Sequence, residues 1–160
     1  MTACSAKFIE PRGGAPGFGP GGDRYLNKLS CADTGGSMIL TEIEAAPGGG
    51  PPLHRHTRED EVFIVLEGEL TFWIDGQVQR AGAGAVVYGP RNIAHTFKNC
   101  SDRKARMMAL VTPAAAEGFF RGFGEPLPGT SLPPSEEVMI ERIMKLAPQY
   151  GIEILGPSPL

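Results

Sequence analysis

Hydrophobic and polar residues alternate in several short stretches of the chain, most densely between residues 61 and 112. In residues 69–75, for example, Leu70, Phe72 and Ile74 occupy every second position. A period of two is typical of strands that bury one face. Together with the content of β-branched residues, this pattern predicts strands at residues 24–32, 37–46, 61–66, 69–75, 77–80, 85–88, 95–99 and 106–112.

Turn residues separate these strands at regular intervals. Asp75-Gly76 is a strong hairpin signal, because a type I′ turn requires a positive φ at both central positions. The 160 residues include 22 glycines and 15 prolines, and these follow no period. Many short strands joined by such turns are typical of a sandwich or barrel. We therefore predict an all-β fold.

The two ends of the chain depart from the strand pattern. Residues 11–22 are rich in Gly and Pro, which predicts an irregular N-terminal arm. Residues 114–123 predict a short helix, and Ser135 predicts the N-cap of a second helix that ends at Pro148. These helices either cover the barrel surface or form a lid over its mouth. Residues 152–155 predict a final edge strand.

Length and charge restrict the organisation and the partners. A chain of 160 residues predicts one domain, residues 1–160, with a barrel core at about 24–112 and a helical extension at 114–160. The net charge is −3. Basic residues form only one loose cluster, at 103–106, whereas nucleic-acid binding proteins usually carry a basic face. We therefore expect no nucleic-acid partner.

The cysteines and the N-terminus indicate the compartment. Cys4, Cys31 and Cys100 are odd in number, far apart and outside any CxxC motif, which favours reduced thiols. The N-terminus lacks the apolar segment of a signal peptide, and no apolar run is long enough to span a bilayer. These features predict a cytoplasmic protein without a membrane partner.

The three histidines of the chain are the candidate chemistry. His54 and His56 are two positions apart, so on a strand both imidazoles point to one face. Glu61 begins the next predicted strand, and His95 begins a later one. Taken singly, such residues are more often solvated or structural. A barrel interior would bring all four together, and three imidazoles with one carboxylate suit a divalent first-row metal.

The spacing of these residues resembles the first motif of the cupin superfamily, G-x5-H-x-H-x3,4-E-x6-G. Residues 48–68 match it at every fixed position, which are Gly48, His54, His56, Glu61 and Gly68.

Residues 84–99 resemble the second cupin motif, G-x5-P-x-G-x2-H-x3-N. Gly84, Pro90, His95 and Asn99 match, and Asn92 stands where the family prefers Gly. Asn is the non-Gly residue that best adopts a left-handed conformation, so the turn should survive. The chain is thus similar to small single-domain cupins of the quercetin dioxygenase type.

The resemblance implies a double-stranded β-helix, or jelly-roll, barrel with one metal ion held by His54, His56, Glu61 and His95. The ion would be Fe, Mn, Ni, Co, Cu or Zn, with two positions left for substrate and dioxygen. Glu61 would also act as a general base. The family tendency implies a homodimer, and Trp73 has the outward parity of an interface residue.

Three phenylalanines are candidates for an apolar substrate pocket. Phe63 shares the parity of Glu61, Phe97 shares that of His95, and Phe72 belongs to the predicted inner face. Ordinary barrel core is an equally good interpretation of each.

Four functions remain open at this point. The first is a metal-dependent dioxygenase acting on a small aromatic or enolizable substrate. The second is an isomerase, cyclase or lyase that uses the metal as a Lewis acid without oxygen. The third is a non-catalytic module that binds a small molecule or metal. Sugar-nucleotide epimerisation ranks last, because no clear Arg cluster is present to bind a diphosphate.

Overall fold

The computed structural model describes residues 4–160 and places eleven strands and three α-helices in them. The strands are β1 (Ala15–Gly19), β2 (Asp23–Leu29), β3 (Ile39–Ala45), β4 (Leu53–His56), β5 (Asp60–Glu67), β6 (Glu69–Ile74), β7 (Gln77–Gly82), β8 (Val86–Gly89), β9 (His95–Lys98), β10 (Ala105–Thr112) and β11 (Ile152–Gly156). The helices are α1 (Cys31–Thr34), α2 (Glu117–Gly124) and α3 (Glu136–Leu146).

The strands form two antiparallel sheets, which confirms the predicted all-β fold. One sheet has the order β1-β2-β3-β10-β5-β8, and the other has the order β11-β4-β9-β6-β7. Every second side chain of β3 and β10 is buried, as a strand with one face on the core requires. The core between the sheets includes Phe63, Val65, Leu70, Phe72, Phe97 and Met107.

The hairpin between β6 and β7 has the predicted conformation. Asp75 has φ 49° and Gly76 has φ 82°, so both central residues lie in the left-handed region. The register that follows pairs Trp73 with Val78 and Leu70 with Ala81.

The prediction of an irregular arm at residues 11–22 is wrong, because part of this segment forms β1. This edge strand pairs with β2, and an edge position tolerates Pro16. Its glycines allow close packing: a Cβ on Gly19 would lie 2.5 Å from the Tyr25 ring. Local propensity therefore gives way to a close contact with the neighbouring strand.

The predicted strand at 24–32 is too long. It ends at Leu29, and Ser30 begins α1 through a capping box in which its hydroxyl accepts from the Asp33 N–H. The spacing of Ser30 and Asp33 is a helix-start signal, which the prediction of a strand up to residue 32 does not take into account.

The C-terminal region matches its prediction. Ser135 accepts a hydrogen bond from the Val138 N–H and so caps α3. β11 pairs with β4 at the edge of the five-stranded sheet, with Ile152 opposite His56 and Ile154 opposite His54. The second sheet therefore includes a strand from outside the predicted barrel core.

Two of the basic residues at 103–106 are neutralised by acidic partners. Lys104 pairs with Glu44, and Arg106 pairs with Glu42 and Glu67.

Among the described residues, no helix has the length and apolar character needed to cross a membrane.

Asn92 lies in the left-handed region, with φ 68°, where the second motif prefers Gly. Its N–H donates to the His56 carbonyl over 2.6 Å, so this turn is tied to the strand that carries two histidines.

We expect Asn92→Ala to lower the free energy of unfolding by about 1–2 kcal/mol. Ala disfavours the left-handed conformation because it lacks the short polar side chain with which Asn can form local hydrogen bonds. Asn92→Gly should retain most of the stability. Urea denaturation of the two variants and the wild type tests this, and equal stability of the Ala and Gly variants would contradict it.

Asp23 is a buried carboxyl group at the start of β2. Its Oδ1 accepts from the Ala46 N–H over 2.9 Å, and its Oδ2 has no partner among the described residues. Burial raises the pKa of Asp23 to about 7, against the smaller opposing effect of the Ala46 hydrogen bond.

This raised pKa predicts that the fold loses stability as pH rises from about 4 to about 7, because the folded state holds the Asp23 proton more tightly than the unfolded state. Asp23→Asn should remove this loss, so its stability advantage should be small at pH 4 and largest at pH 8. Thermal unfolding at the two pH values measures it. A difference that does not change with pH would contradict the assignment.

Candidate metal centre

The two sheets bring three histidines to one place inside the barrel. His54 and His56 lie on β4 with the same parity, and His95 begins β9, directly opposite His54 in the strand register. His56 and His95 are buried, and His54 is half-buried. The strand interpretation of the His-x-His pair is therefore confirmed.

Glu61 reaches the same place from the other sheet. It lies on β5 and is buried. Its neighbour Asp60 points outward and binds Arg91, and since successive side chains of a strand alternate, Glu61 faces the interior. The site is thus assembled from β4 and β9 of one sheet and β5 of the other.

All four side chains offer a donor atom, and these atoms lie within 4.8 Å of one another. Glu61 Oε2 is 2.7 Å from His95 Nε2 and 3.4 Å from His56 Nε2. The His54 and His95 ring centroids are 4.7 Å apart. Three nitrogens and one oxygen converge on a volume that a single ion would fill.

Backbone carbonyls orient two of the rings. His54 Nδ1 lies 2.8 Å from the Pro52 carbonyl oxygen, and His95 Nδ1 lies 3.0 Å from that of Ile93. A carbonyl only accepts hydrogen bonds, so each Nδ1 must carry the proton and each Nε2 faces the other donors. In liganded sites this arrangement fixes the tautomer of a metal-binding histidine.

One donor atom supports a metal directly. His56 Nε2 is buried without a hydrogen-bond partner in the described part of the chain. A buried polar atom without a partner is costly, and a cation held by this donor set would satisfy it. The residues therefore fit a divalent ion, and the donor chemistry suits iron, manganese, cobalt, nickel, copper or zinc.

The electrostatics also favour a cation. Burial alone would raise the pKa of Glu61, but the three imidazoles lower it to about 2, so the carboxylate stays ionised. Burial and the neighbouring imidazoles lower the pKa of His54 to about 3, which keeps that ring neutral. Burial would also lower the pKa of His95, but the hydrogen bond to Glu61 raises it. A metal ion would replace this shared proton.

An apolar cavity of about 50 Å³ lies beside His54 and Glu61. Phe63 and Phe97, two of the three phenylalanines predicted for a substrate pocket, line this cavity from the barrel. Their contact with a substrate stays a prediction. Phe72 is not among its lining residues. It packs behind them in the core, with ring centroids 5.4 Å from Phe63 and 6.1 Å from Phe97.

The opposite wall comes from the C-terminal extension. Phe119, Phe120 and Phe123 of α2 line the cavity, and the Phe120 ring is stacked on His56 at a centroid distance of 6.1 Å. The sequence predicts a short helix over residues 114–123 but does not connect it with the histidines. No local signal could do so, because the contact joins segments about sixty residues apart.

Comparisons with known proteins agree with this geometry. A model of the cupin domain matches residues 41–111. Quercetin 2,3-dioxygenase of Bacillus subtilis is 28% identical over 97% of this chain, which spans only 50% of the length of that enzyme. Polyketide synthase CurC of Streptomyces cyaneus is 29% identical over 72% of this chain and 75% of its own length.

Among solved structures, a predicted oxalate decarboxylase of Thermotoga maritima superposes with a TM-score of 0.63. It is 19% identical and covers 67% of this chain and 99% of its own, a likeness that concerns the fold alone. The two motifs, the two-sheet barrel, the converged donors and the family match lead to one conclusion: residues 41–111 of this chain are a cupin domain.

Proposed function

We propose that this protein is a metal-dependent dioxygenase of the quercetin dioxygenase type, acting on a small aromatic or enolizable substrate. The observation that carries this proposal is the convergence of His54, His56, Glu61 and His95 beside a cavity lined by aromatic side chains. The similarity to the Bacillus enzyme over 97% of the chain supports it. A dioxygenase adds both oxygen atoms to its substrate, so the reaction requires no external reductant.

The metal would supply redox or Lewis-acid activation of the substrate and dioxygen. The three imidazoles and Glu61 would hold it. The apolar wall would exclude bulk water and so strengthen electrostatic interactions within the site.

Glu61 is the proposed general base. Its low pKa keeps it anionic and able to accept a proton from a substrate hydroxyl, although a carboxylate this acidic is a weak base. Tyr25 also lines the cavity, and burial raises the pKa of its hydroxyl well above the usual 10. It therefore remains protonated and can donate a hydrogen bond to a substrate oxygen.

The size of the cavity restricts how a substrate enters. About 50 Å³ holds a few water molecules and is too small for an aromatic compound with several rings. Phe120 separates this cavity from a larger surface groove lined by Asn27 and Arg121. We propose that α2 acts as a lid, so that displacement of Phe120 joins the groove to the metal centre.

A second candidate is an isomerase, cyclase or lyase that does not use oxygen. The similarity to the polyketide synthase protein CurC favours it, because the match spans 75% of that protein. The same metal centre would then serve as a Lewis acid. A non-catalytic binding module has no comparable support, since binding alone does not require an anionic ligand beside open metal positions.

The homodimer stays a prediction. The outer face of β5 and β8 exposes Ile64, Val86 and Tyr88, and a second copy would cover such an apolar surface.

We expect the metal-stripped protein to bind one divalent ion per chain and to unfold at a higher temperature when the ion is added. Binding to the folded state alone contributes about 2.7 kcal/mol at a free ion concentration of one hundred times Kd. Elemental analysis and thermal unfolding with Mn²⁺, Co²⁺, Ni²⁺ or Zn²⁺ measure these effects.

His54→Ala should abolish the thermal shift. Arg55→Gln is the matched control, because the Arg55 side chain pairs with Glu153 on the surface. If the wild type binds no ion, or if His54→Ala shifts as much as the control, the metal centre is wrong.

We expect the metal-loaded protein to consume dioxygen when given a flavonol such as quercetin or a smaller enolizable aromatic compound. Glu61→Gln should reduce turnover by about 10²–10⁴-fold through loss of the base, with a further loss if the metal binds less tightly. An oxygen electrode and product analysis provide the measurement.

Two outcomes separate the candidates. Turnover that persists under anaerobic conditions favours the isomerase, cyclase or lyase. Turnover retained by metal-free His54→Ala protein contradicts both metal-dependent proposals.

A further inference from the structure

Glu59 is a buried acidic residue next to the metal centre that the four-ligand set does not include. Its side chain is 0% exposed. Oε2 lies 3.3 Å from His56 Nδ1, and Oε1 has no hydrogen-bond partner in the part of the chain that the structure describes. A carboxylate buried with so few partners is costly, so its position calls for a specific role.

Hydrogen bonds of the residues on either side of Glu59 fix its position. Glu59 and Glu61 point inward, whereas Asp60 between them points outward and binds both the N–H and the guanidinium of Arg91. The preceding Thr57 donates its N–H and its hydroxyl to the Gly151 carbonyl. The segment between β4 and β5 is therefore held at both ends, and Glu59 is held against His56.

The three histidines differ in the acceptor group that faces their Nδ1 atom. His54 and His95 each face a neutral backbone carbonyl, at 2.8 Å and 3.0 Å, whereas His56 faces a carboxylate. In all three rings Nε2 is left for the centre of the site. A carboxylate acceptor makes the opposite ring nitrogen a stronger electron donor than a carbonyl does.

We propose that Glu59 is a positioning residue: its carboxylate accepts the His56 Nδ1–H and holds that ring with Nε2 at the metal. The proposal rests on the metal centre of the proposed function and not on the reaction. It predicts that Glu59 contributes to metal affinity without touching the ion or the substrate.

The test compares Glu59→Leu, which removes the acceptor at similar volume, with Glu59→Gln, which retains an acceptor oxygen. Asp23→Asn is the matched control, since Asp23 is an equally buried carboxyl whose bonded oxygen accepts from a backbone N–H elsewhere. Affinity of the metal-stripped proteins for Co²⁺ is measured by competition with a chromogenic chelator, and circular dichroism confirms folding.

We expect Glu59→Leu to bind Co²⁺ about 10–100-fold more weakly than the wild type. Glu59→Gln should retain most of the affinity, and Asp23→Asn should match the wild type. Wild-type affinity in Glu59→Leu would overturn the proposal, as would an equal loss in Asp23→Asn. A loss in Glu59→Gln as large as that in Glu59→Leu would also overturn it, because the accepted hydrogen bond would then not be what matters.

A second measurement remains decisive if Glu59→Leu does not fold. In zinc-loaded wild-type protein labelled with 15N-histidine, NMR should show His56 bound through Nε2, with a protected proton on Nδ1. Binding through Nδ1, or an Nδ1 without that proton, would overturn the assignment. No readout depends on turnover, so a protein that binds metal but lacks activity contradicts only the proposed dioxygenase.

Discussion

The structure depends on the burial of a charged carboxylate among three imidazoles. Glu61 is ionised inside the barrel, where an isolated charge would be strongly disfavoured. Its hydrogen bond to His95 and its proximity to His56 make this burial tolerable, and a divalent ion would do so more completely. The two sheets must therefore keep fixed positions relative to each other, because the donors come from both.

Much of the surrounding fold serves this requirement. β4 carries two of the histidines and lies between β9 and β11, so the last strand of the chain supports the site although it contributes no ligand. The Asn92 N–H binds the His56 carbonyl and thereby joins the two motif regions through their backbones. Carbonyl acceptors at Pro52 and Ile93 then select the tautomer of the other two rings. Stability and the positions of the donor atoms in this way depend on the same hydrogen bonds.

The extension that follows the barrel gives the site its particular character. A barrel with this donor set is compatible with many reactions, and a fold alone does not define one. Phe119, Phe120 and Phe123 form part of the wall of the small apolar cavity beside His54 and Glu61. The cavity wall is thus made partly of residues that lie outside the two motifs, so its shape can change without a change in the donor residues.

The amino-acid sequence by itself determined the all-β fold and the turn at Asp75-Gly76. These follow from local rules: alternation sets which side chains share a face, and the Asp-Gly pair sets the turn. The sequence also implied that Asn92 adopts a left-handed conformation. Its resemblance to a known family was needed for the donor set, because His95 is far from the other ligands along the chain.

Only the tertiary structure decided the features that depend on contacts between distant segments. The Gly-rich stretch at 15–19 becomes a strand because β2 supplies its hydrogen bonds and the Tyr25 ring needs the space that Gly19 leaves. Phe72 belongs to the core and not to the cavity, since parity specifies a face but not a depth. Glu59 shares the parity of Glu61, yet its contact with His56 depends on how the segment between two strands is held, which no local pattern specifies.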